Sequence, residues 1–328
     1  MKMNWQTHLK NGITHPLQLL TALQLTPEDF PFRILYDHPF KTRVPLGFVN
    51  RMQKGNPHDP LLLQVLPIDS ELLSPEGYTT DPLDEHRTNI IPGLIHKYHN
   101  RVLLTITGAC AIHCRYCFRR HFPYSDNNPG REGWGRVIDY LKAAPEITEV
   151  IFSGGDPLTA PDTLLGGLAE SLATIPHIKT LRIHSRLPIV LPERIDEIFL
   201  SWFTQTRLQP VMVVHTNHPQ EIDSTVEQAL SRMHQVGITL LNQSVLLKGI
   251  NDNATILAAL SQKLIENHTY PYYLHLLDKV KDTAHFDLPR HRAIQIYHEL
   301  LASVSGYLVP KLVEERAGEK NKSPIITT

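Results

Sequence analysis

Beyond Pro92-Gly93 the sequence changes character, and short β-rich runs begin to alternate with amphipathic helical stretches. Six such runs recur, at 102–107, 149–153, 180–185, 211–216, 238–247 and 272–277. Between them the spacing of apolar residues predicts helices over 133–144, 162–174, 194–203, 221–236 and 254–266, with a last one near 291–304. Strands separated by helices of this length pair in parallel, because a parallel connection needs a crossover long enough to hold a helix. The expected class is therefore α/β, a partial (β/α) barrel of six units.

Barrels of this kind place their chemistry at the carboxyl ends of the strands. The first run leads into Cys110, Cys114 and Cys117, spaced C-x-x-x-C-x-x-C, and these are all the cysteines in the chain. An odd number confined to one loop argues against a disulfide framework and for thiolate ligation of a metal or cluster. Iron-sulfur clusters ordinarily take four protein thiolates, so three would leave one iron open to another ligand. The competing reading is a zinc site of three cysteines completed by His113 or His121, in a non-enzymatic, zinc-stabilised binding protein. A fortuitous cluster of thiols is the blander alternative.

Polar groups close the other runs as well: Ser153-Gly154-Gly155-Asp156, His184-Ser185-Arg186, His215-Thr216-Asn217-His218, Asn242-Gln243-Ser244 within the fifth, and His275 with Asp278 at the sixth. Loops are polar in any case, which accounts for part of this pattern. Gly154-Gly155, carrying no Cβ, would let the backbone approach a ligand closely, or would simply form a tight turn before Pro157.

The remaining 88 N-terminal residues are punctuated by Pro27, Pro31, Pro39, Pro57 and Pro60, with short helical patterns at 16–25 and 46–52. The chain thus divides into a mostly helical extension (1–88), the barrel core (89–290) and a C-terminal segment (291–328). The extension would cover one end of the barrel or make a subunit contact, so a homo-oligomer is an open expectation. With 32 Lys plus Arg against 33 Asp plus Glu, nothing advertises nucleic acid, and small molecules are the expected partners. No apolar run approaches the roughly 18 to 20 residues that span a bilayer, and the start lacks a hydrophobic signal core, so the expected location is the cytoplasm.

With Tyr116 directly before its last cysteine, the cysteine motif resembles the signature of the radical S-adenosylmethionine enzymes. That resemblance implies a four-iron four-sulfur cluster on Cys110, Cys114 and Cys117. Its open iron would chelate S-adenosylmethionine, which one electron splits to a 5'-deoxyadenosyl radical. Ser153, Gly154, Gly155 and Asp156 would receive S-adenosylmethionine, and a reduced flavodoxin or ferredoxin would supply the electron.

Longer strings resemble the lysine 2,3-aminomutases, in one order from about Val44 onward. They include Pro92-Gly93-Leu94, His96-Lys97-Tyr98 with Arg101, Cys117-Phe118-Arg119-Arg120, Ile183-His184-Ser185-Arg186, Asn217-His218-Pro219, Asn242-Gln243-Ser244-Val245-Leu246-Leu247, Pro271-Tyr272-Tyr273, His285-Phe286 and Gly306-Tyr307-Leu308-Val309-Pro310. The resemblance implies a second cofactor, pyridoxal 5'-phosphate, through which an amino group moves from Cα to Cβ of L-lysine. Lys322 matches the lysine that holds this cofactor, with Lys320 the alternative. A lysine near a polar C-terminus is ordinarily a solvated charge, so this role requires the tail to fold back into the barrel mouth. Lys97 and Arg101 match positions near the cofactor phosphate, and His215 and Gln243 line its pocket. Arg119, with Arg120 less secure, matches the clamp on the substrate carboxylate, while Asp278 and Glu315 match the acids that receive the distal ammonium.

Catabolic members carry aspartate where this chain has Glu315, and their glycine run is replaced by Gly318-Glu319-Lys320-Asn321. Their cysteine-bearing C-terminal extension is not found before Thr328. The shorter form most resembles the branch that makes (R)-β-lysine, which a separate ligase attaches to elongation factor P. A catabolic or osmolyte-forming aminomutase acting on lysine or glutamate is the alternative.

Overall fold

The computed structural model describes residues 4–73 and 75–325, apart from the side chains of Arg131 and Glu132. Its described strands form a single sheet in chain order. β1 (Asn89–Ile91), β2 (Leu94–Tyr98) and β3 (Arg101–Thr107) pair antiparallel. From β3 the sheet continues in parallel through β4 (Glu149–Gly154), β5 (Thr180–Ser185), β6 (Gln209–His215), β7 (Thr239–Val245) and β8 (Thr269–His275). β9 (Lys311–Glu314) adds parallel to β8, and β10 (Ser323–Pro324) returns antiparallel to β9. The six parallel strands β3 to β8 are the six runs read from the sequence, and they form the partial barrel.

The crossovers are helices Gly130–Ala143, Asp162–Ala173, Glu197–Thr204, Ser224–Gln235 and Ala254–Glu266, and Arg290–Ser303 follows β8. Their starts are fixed by side chains that satisfy free helix N–H groups: Asp196 accepts from Phe199, Asp223 from Thr225 and Val226, Asn253 from Thr255. The Asp196 and Asp223 caps explain why two helices begin three residues later than periodicity alone suggests. Strand alternation then sorts the sheet into two faces. Val102, Leu104, Ile106, Val150, Phe152, Leu181, Ile183, Met212, Val214 and Leu240 are buried in the common core with the helices. The alternate residues, among them Thr105, Ser153, Arg182, His184, His215, Gln243 and His275, occupy the inner face.

In the extension, helices Trp5–Lys10, Pro16–Ala22, Leu46–Val49 and Pro60–Leu63 are short, and the two patterns expected at 16–25 and 46–52 stop early. Its apolar residues do not make a core of their own: Trp5, Leu19, Leu20, Phe48, Leu61 and Leu62 belong to the same cluster as Val102 and Phe152.

Candidate active site

The loop after β3 carries the three cysteines, and the extension straps it down. His113 N donates to Arg43 O at 2.9 Å and Arg115 N to Gln64 O at 2.8 Å. The Arg115 side chain is fully buried, with Nε on Glu71 Oε1 at 2.8 Å, while Arg120 Nη2 shares the same carboxylate at 2.8 Å. Glu71 lies on the 3-10 turn Asp69–Leu72, and the ring of Phe40 stacks beneath both guanidinium groups at 4.9 and 4.7 Å.

Cys110, Cys114 and Cys117 are free thiols. Burial, and then the neighbouring Cys117, push the Cys110 thiol well up, and burial with Cys114 beside it pushes Cys117 up to about 11. Two thiols that resist deprotonation, with a third between them in the loop, fit a multiply charged cation joining them. The histidines that would complete a zinc site are engaged elsewhere: His113 Nδ1 is bonded to Lys41 O at 2.7 Å, and His121 Nε2 faces Asp282 at 3.2 Å.

The glycine pair packs β4 against this loop. Gly154 has φ +123°, and a Cβ there would lie 2.5 Å from Thr107 O; a Cβ on Gly155 would lie 2.5 Å from Ala109 O. Gly155 N donates to Thr107 O at 2.7 Å and Asp156 N to Ala109 O at 2.8 Å. The close approach that glycine permits is thus to the chain's own backbone. Asp156 is buried, and its carboxylate accepts from Ser185 Oγ at 2.7 Å, Arg186 N at 2.8 Å, Leu158 N at 3.1 Å and Leu187 N at 3.2 Å. Burial raises it to about 6 against the pull of those donors. Its oxygens thus tie the β4 and β5 loops together. From the β5 loop, buried Arg186 places Nη1 2.7 Å from Cys114 Sγ and Nη2 on Gln64 and Glu221 at 2.7 and 3.0 Å.

On the inner face a chain of alternating charges crosses the barrel mouth. Lys322 Nζ sits 2.8 Å from Glu315 Oε2, whose Oε1 is 3.2 Å from Lys97 Nζ. Lys97 Nζ is 3.1 Å from Glu85 Oε1. Glu85 takes Arg119 Nε and Nη2, both at 2.8 Å, and Arg119 Nη1 donates to Ser153 Oγ at 3.1 Å. Lys322 arrives because β9 and β10 form a hairpin that returns the tail to the sheet, and its Nζ stands 5.8 Å from the Tyr273 ring centre. Asp278 is half-buried at the same mouth, where burial and then Glu315 push its carboxyl up to about 7. Arg101 lies at the far end of β3, stacked on Tyr98 at 4.2 Å and bonded to Asn100.

His215 Nε2 meets Gln243 Nε2 at 2.9 Å. Burial lowers His215 to about 3 and also drives His184 and His275 down, with the Lys322 charge adding to each, so all three rings are neutral. Among the described residues, Thr105 Oγ1, Arg182 Nε, His184 Nε2, Gln243 Oε1 and His275 Nε2 are buried without hydrogen-bond partners. All five belong to inner-face residues. Buried polar atoms left unpaired are costly, and five of them on one inner face mark a place for a polar ligand.

Residues 104–259 match the model of the Radical SAM superfamily. A protein from Haemophilus influenzae named L-lysine 2,3-aminomutase is 52% identical over 98% of this chain and 95% of its own length. One of the same name from Escherichia coli is 50% identical over 98% and 94%. The chain belongs to the L-lysine 2,3-aminomutase family. A relative of that name from Clostridium subterminale is more distant, 33% identical over 98% of this chain and 78% of its own length. Members of this family are isomerases, and the radical SAM domain implies a four-iron four-sulfur cluster and S-adenosylmethionine, which corrects the zinc-stabilised, non-enzymatic reading of the cysteines. The aminomutase site includes groups that the sequence did not single out. Glu85 sits in a short helix with no motif around it, and Arg182 is mid-strand. His184, Arg186 and His275 were visible as strand-end polar residues without a role.

Proposed function

We propose that this aminomutase converts L-α-lysine to (R)-β-lysine by a 1,2-shift of the amino group, with pyridoxal phosphate held by Lys322. The observation that carries the reading is the placement of Lys322: a C-terminal lysine, ordinarily solvated, is brought by a two-strand hairpin beside Glu315 and over the inner face. Four of the five unpartnered polar atoms there can donate to a ligand rich in oxygens, while Gln243 Oε1 can only accept.

The cluster, on Cys110, Cys114 and Cys117, and S-adenosylmethionine, cradled near Ser153 to Asp156, supply a hydrogen-abstracting radical. Pyridoxal phosphate would supply an electron-accepting π-system, and Lys97, Arg101, His215 and Gln243 are the residues that would hold it with Lys322. The chain's own groups hold these partners in register. Glu315 orients Lys322, whose amine must lose its proton to act as a nucleophile. The three neutral histidines offer hydrogen bonds without adding positive charge. Arg119 clamps the substrate carboxylate, for which a planar fork is well matched. Asp278 and Glu315 receive the distal ammonium; Glu315 already serves Lys97 and Lys322, so Asp278 carries the uncommitted charge.

High identity to the two relatives that match this chain nearly end to end, against 33% to the clostridial one, supports assignment to the shorter branch. In that reading the product feeds a ligase that modifies elongation factor P, a flavodoxin- or ferredoxin-type protein donates electrons, and the enzyme works in the cytoplasm. No described helix is long and apolar enough to cross a membrane. The test is conversion of isotopically labelled lysine with and without S-adenosylmethionine and a reductant. We expect β-lysine only when both are present. Lys322→Ala should abolish product and the borohydride-trapped pyridoxyl adduct, with the cluster absorbance near 400 nm retained. An adduct retained in the variant, for example on Lys320, would refute the assignment of Lys322.

A further inference from the structure

We infer that Glu85 is a positioning residue for substrate recognition: it fixes the Arg119 guanidinium so that one edge alone faces the substrate carboxylate. The inference deepens the reading of Arg119 as the carboxylate clamp and rests on it. Three observations lead to it.

The first is stereochemical. A guanidinium has two edges that can each grip a carboxylate through parallel N–H bonds. Glu85 occupies the Nε/Nη2 edge with both bonds at 2.8 Å, leaving the Nη1/Nη2 edge. Nη1 donates to Ser153 Oγ, at the end of β4 on the inner face, which sets the remaining edge beside the carboxyl end of that strand. Stacking on the rings of Phe118 and Phe122, at 4.9 and 5.8 Å, holds the plane.

The second is charge. Lys322, Lys97 and Arg119 bring three positive charges to the chain across the mouth, and Glu315 and Glu85 bring two negative ones. With Asp278 set apart for the distal ammonium, one positive charge is left over along these contacts, and a substrate carboxylate at Arg119 would balance it. Without Glu85 the excess would be two, and Arg119 and Lys97 would repel each other across the vacated space.

The third is burial. Glu85 is 3% exposed and Arg119 7%, and Glu85 bridges Arg119 to Lys97. Burial works to raise the Glu85 carboxyl, yet Arg119 and Lys97 together hold it below the usual range, so it stays ionised throughout the working pH range. A pair this dry loses little to solvent screening, which makes the orientation it sets stiff.

The experiment compares lysine with lysine amide, which lacks the carboxylate, as ligands of anaerobic, cofactor-loaded enzyme, followed by the change in pyridoxal absorbance. In Glu85→Gln the dissociation constant for lysine should rise about tenfold or more, because the clamp loses its fixed partner. That for lysine amide should hold, so the ratio between the two collapses. Equal weakening of both ligands, or an unchanged ratio, overturns the inference, since a merely structural carboxylate would not discriminate between them. Arg119→Lys is run beside it: an unchanged ratio there refutes the clamp itself, whereas a collapsed ratio there with an intact one in Glu85→Gln refutes only the role of Glu85. If Glu85→Gln loses its 400 nm absorbance, Glu85→Asp, which keeps the charge and shortens the reach, decides by the same ratio.

Discussion

Asp278 and Glu315 are both carboxylates at the barrel mouth, yet their surroundings send them in opposite directions. Burial alone would raise both; Lys322 and Lys97 pull Glu315 far below the ordinary range, while Asp278, next to the charged Glu315, rises to about 7. A raised carboxyl in the folded state binds its proton more tightly than in the unfolded chain. This group's contribution to the stability of the substrate-free enzyme is therefore present at low pH and lost as pH climbs toward about 7. An arriving ammonium favours the ionised form, so the apparent affinity for lysine should fall as pH drops below about 7. Asp278→Asn should weaken lysine and flatten that dependence. Measuring KM for lysine from pH 6 to 9 in both proteins checks it, and an equally steep profile in the variant would remove Asp278 from the ammonium site. The resemblance in sequence proposes Asp278 for this role; its burial and then its packing beside Glu315 set its protonation.

Elements outside the barrel hold the chemistry in place. The cysteine loop is fastened by Phe40, Gln64 and Glu71 of the extension, with the last neutralising two buried arginines at once. Removing one partner of a buried pair leaves an uncompensated charge, so Glu71→Ala should destabilise by about 3–5 kcal/mol. Thermal melting would measure this, and a loss under about 1 kcal/mol would mean that water replaces the carboxylate. The proline-punctuated extension read as a cover from its sequence, because no periodicity reveals which carboxylate will meet which arginine. Similarly, β1, β2, β9 and β10 are too short to show alternation, and β10 contains a proline tolerated at a sheet edge. Yet that hairpin is what delivers Lys322.

At the scale of the whole molecule the largest apolar cluster runs from Trp5 in the extension to Leu264 on the helix before β8, beside two smaller ones toward the C-terminus. With each buried Leu or Phe worth about 1.5–3 kcal/mol, neither part can be peeled away cheaply. Calorimetry should show a single transition for the full chain, and a fragment beginning at Asn89 should lack a cooperative melt; two separate transitions would argue for independent units. The sequence by itself determined the six parallel units, the thiols at the first strand end and the family. Those are local matters, set by a period of two or of 3.6 residues and by spacing within one loop. The tertiary structure alone decided that His113 and His121 find partners of their own, that the glycines nest one loop on another, and that Glu85 grips Arg119. Those depend on residues distant in the chain meeting across a folded sheet, where burial and neighbouring charge give each side chain its final chemistry.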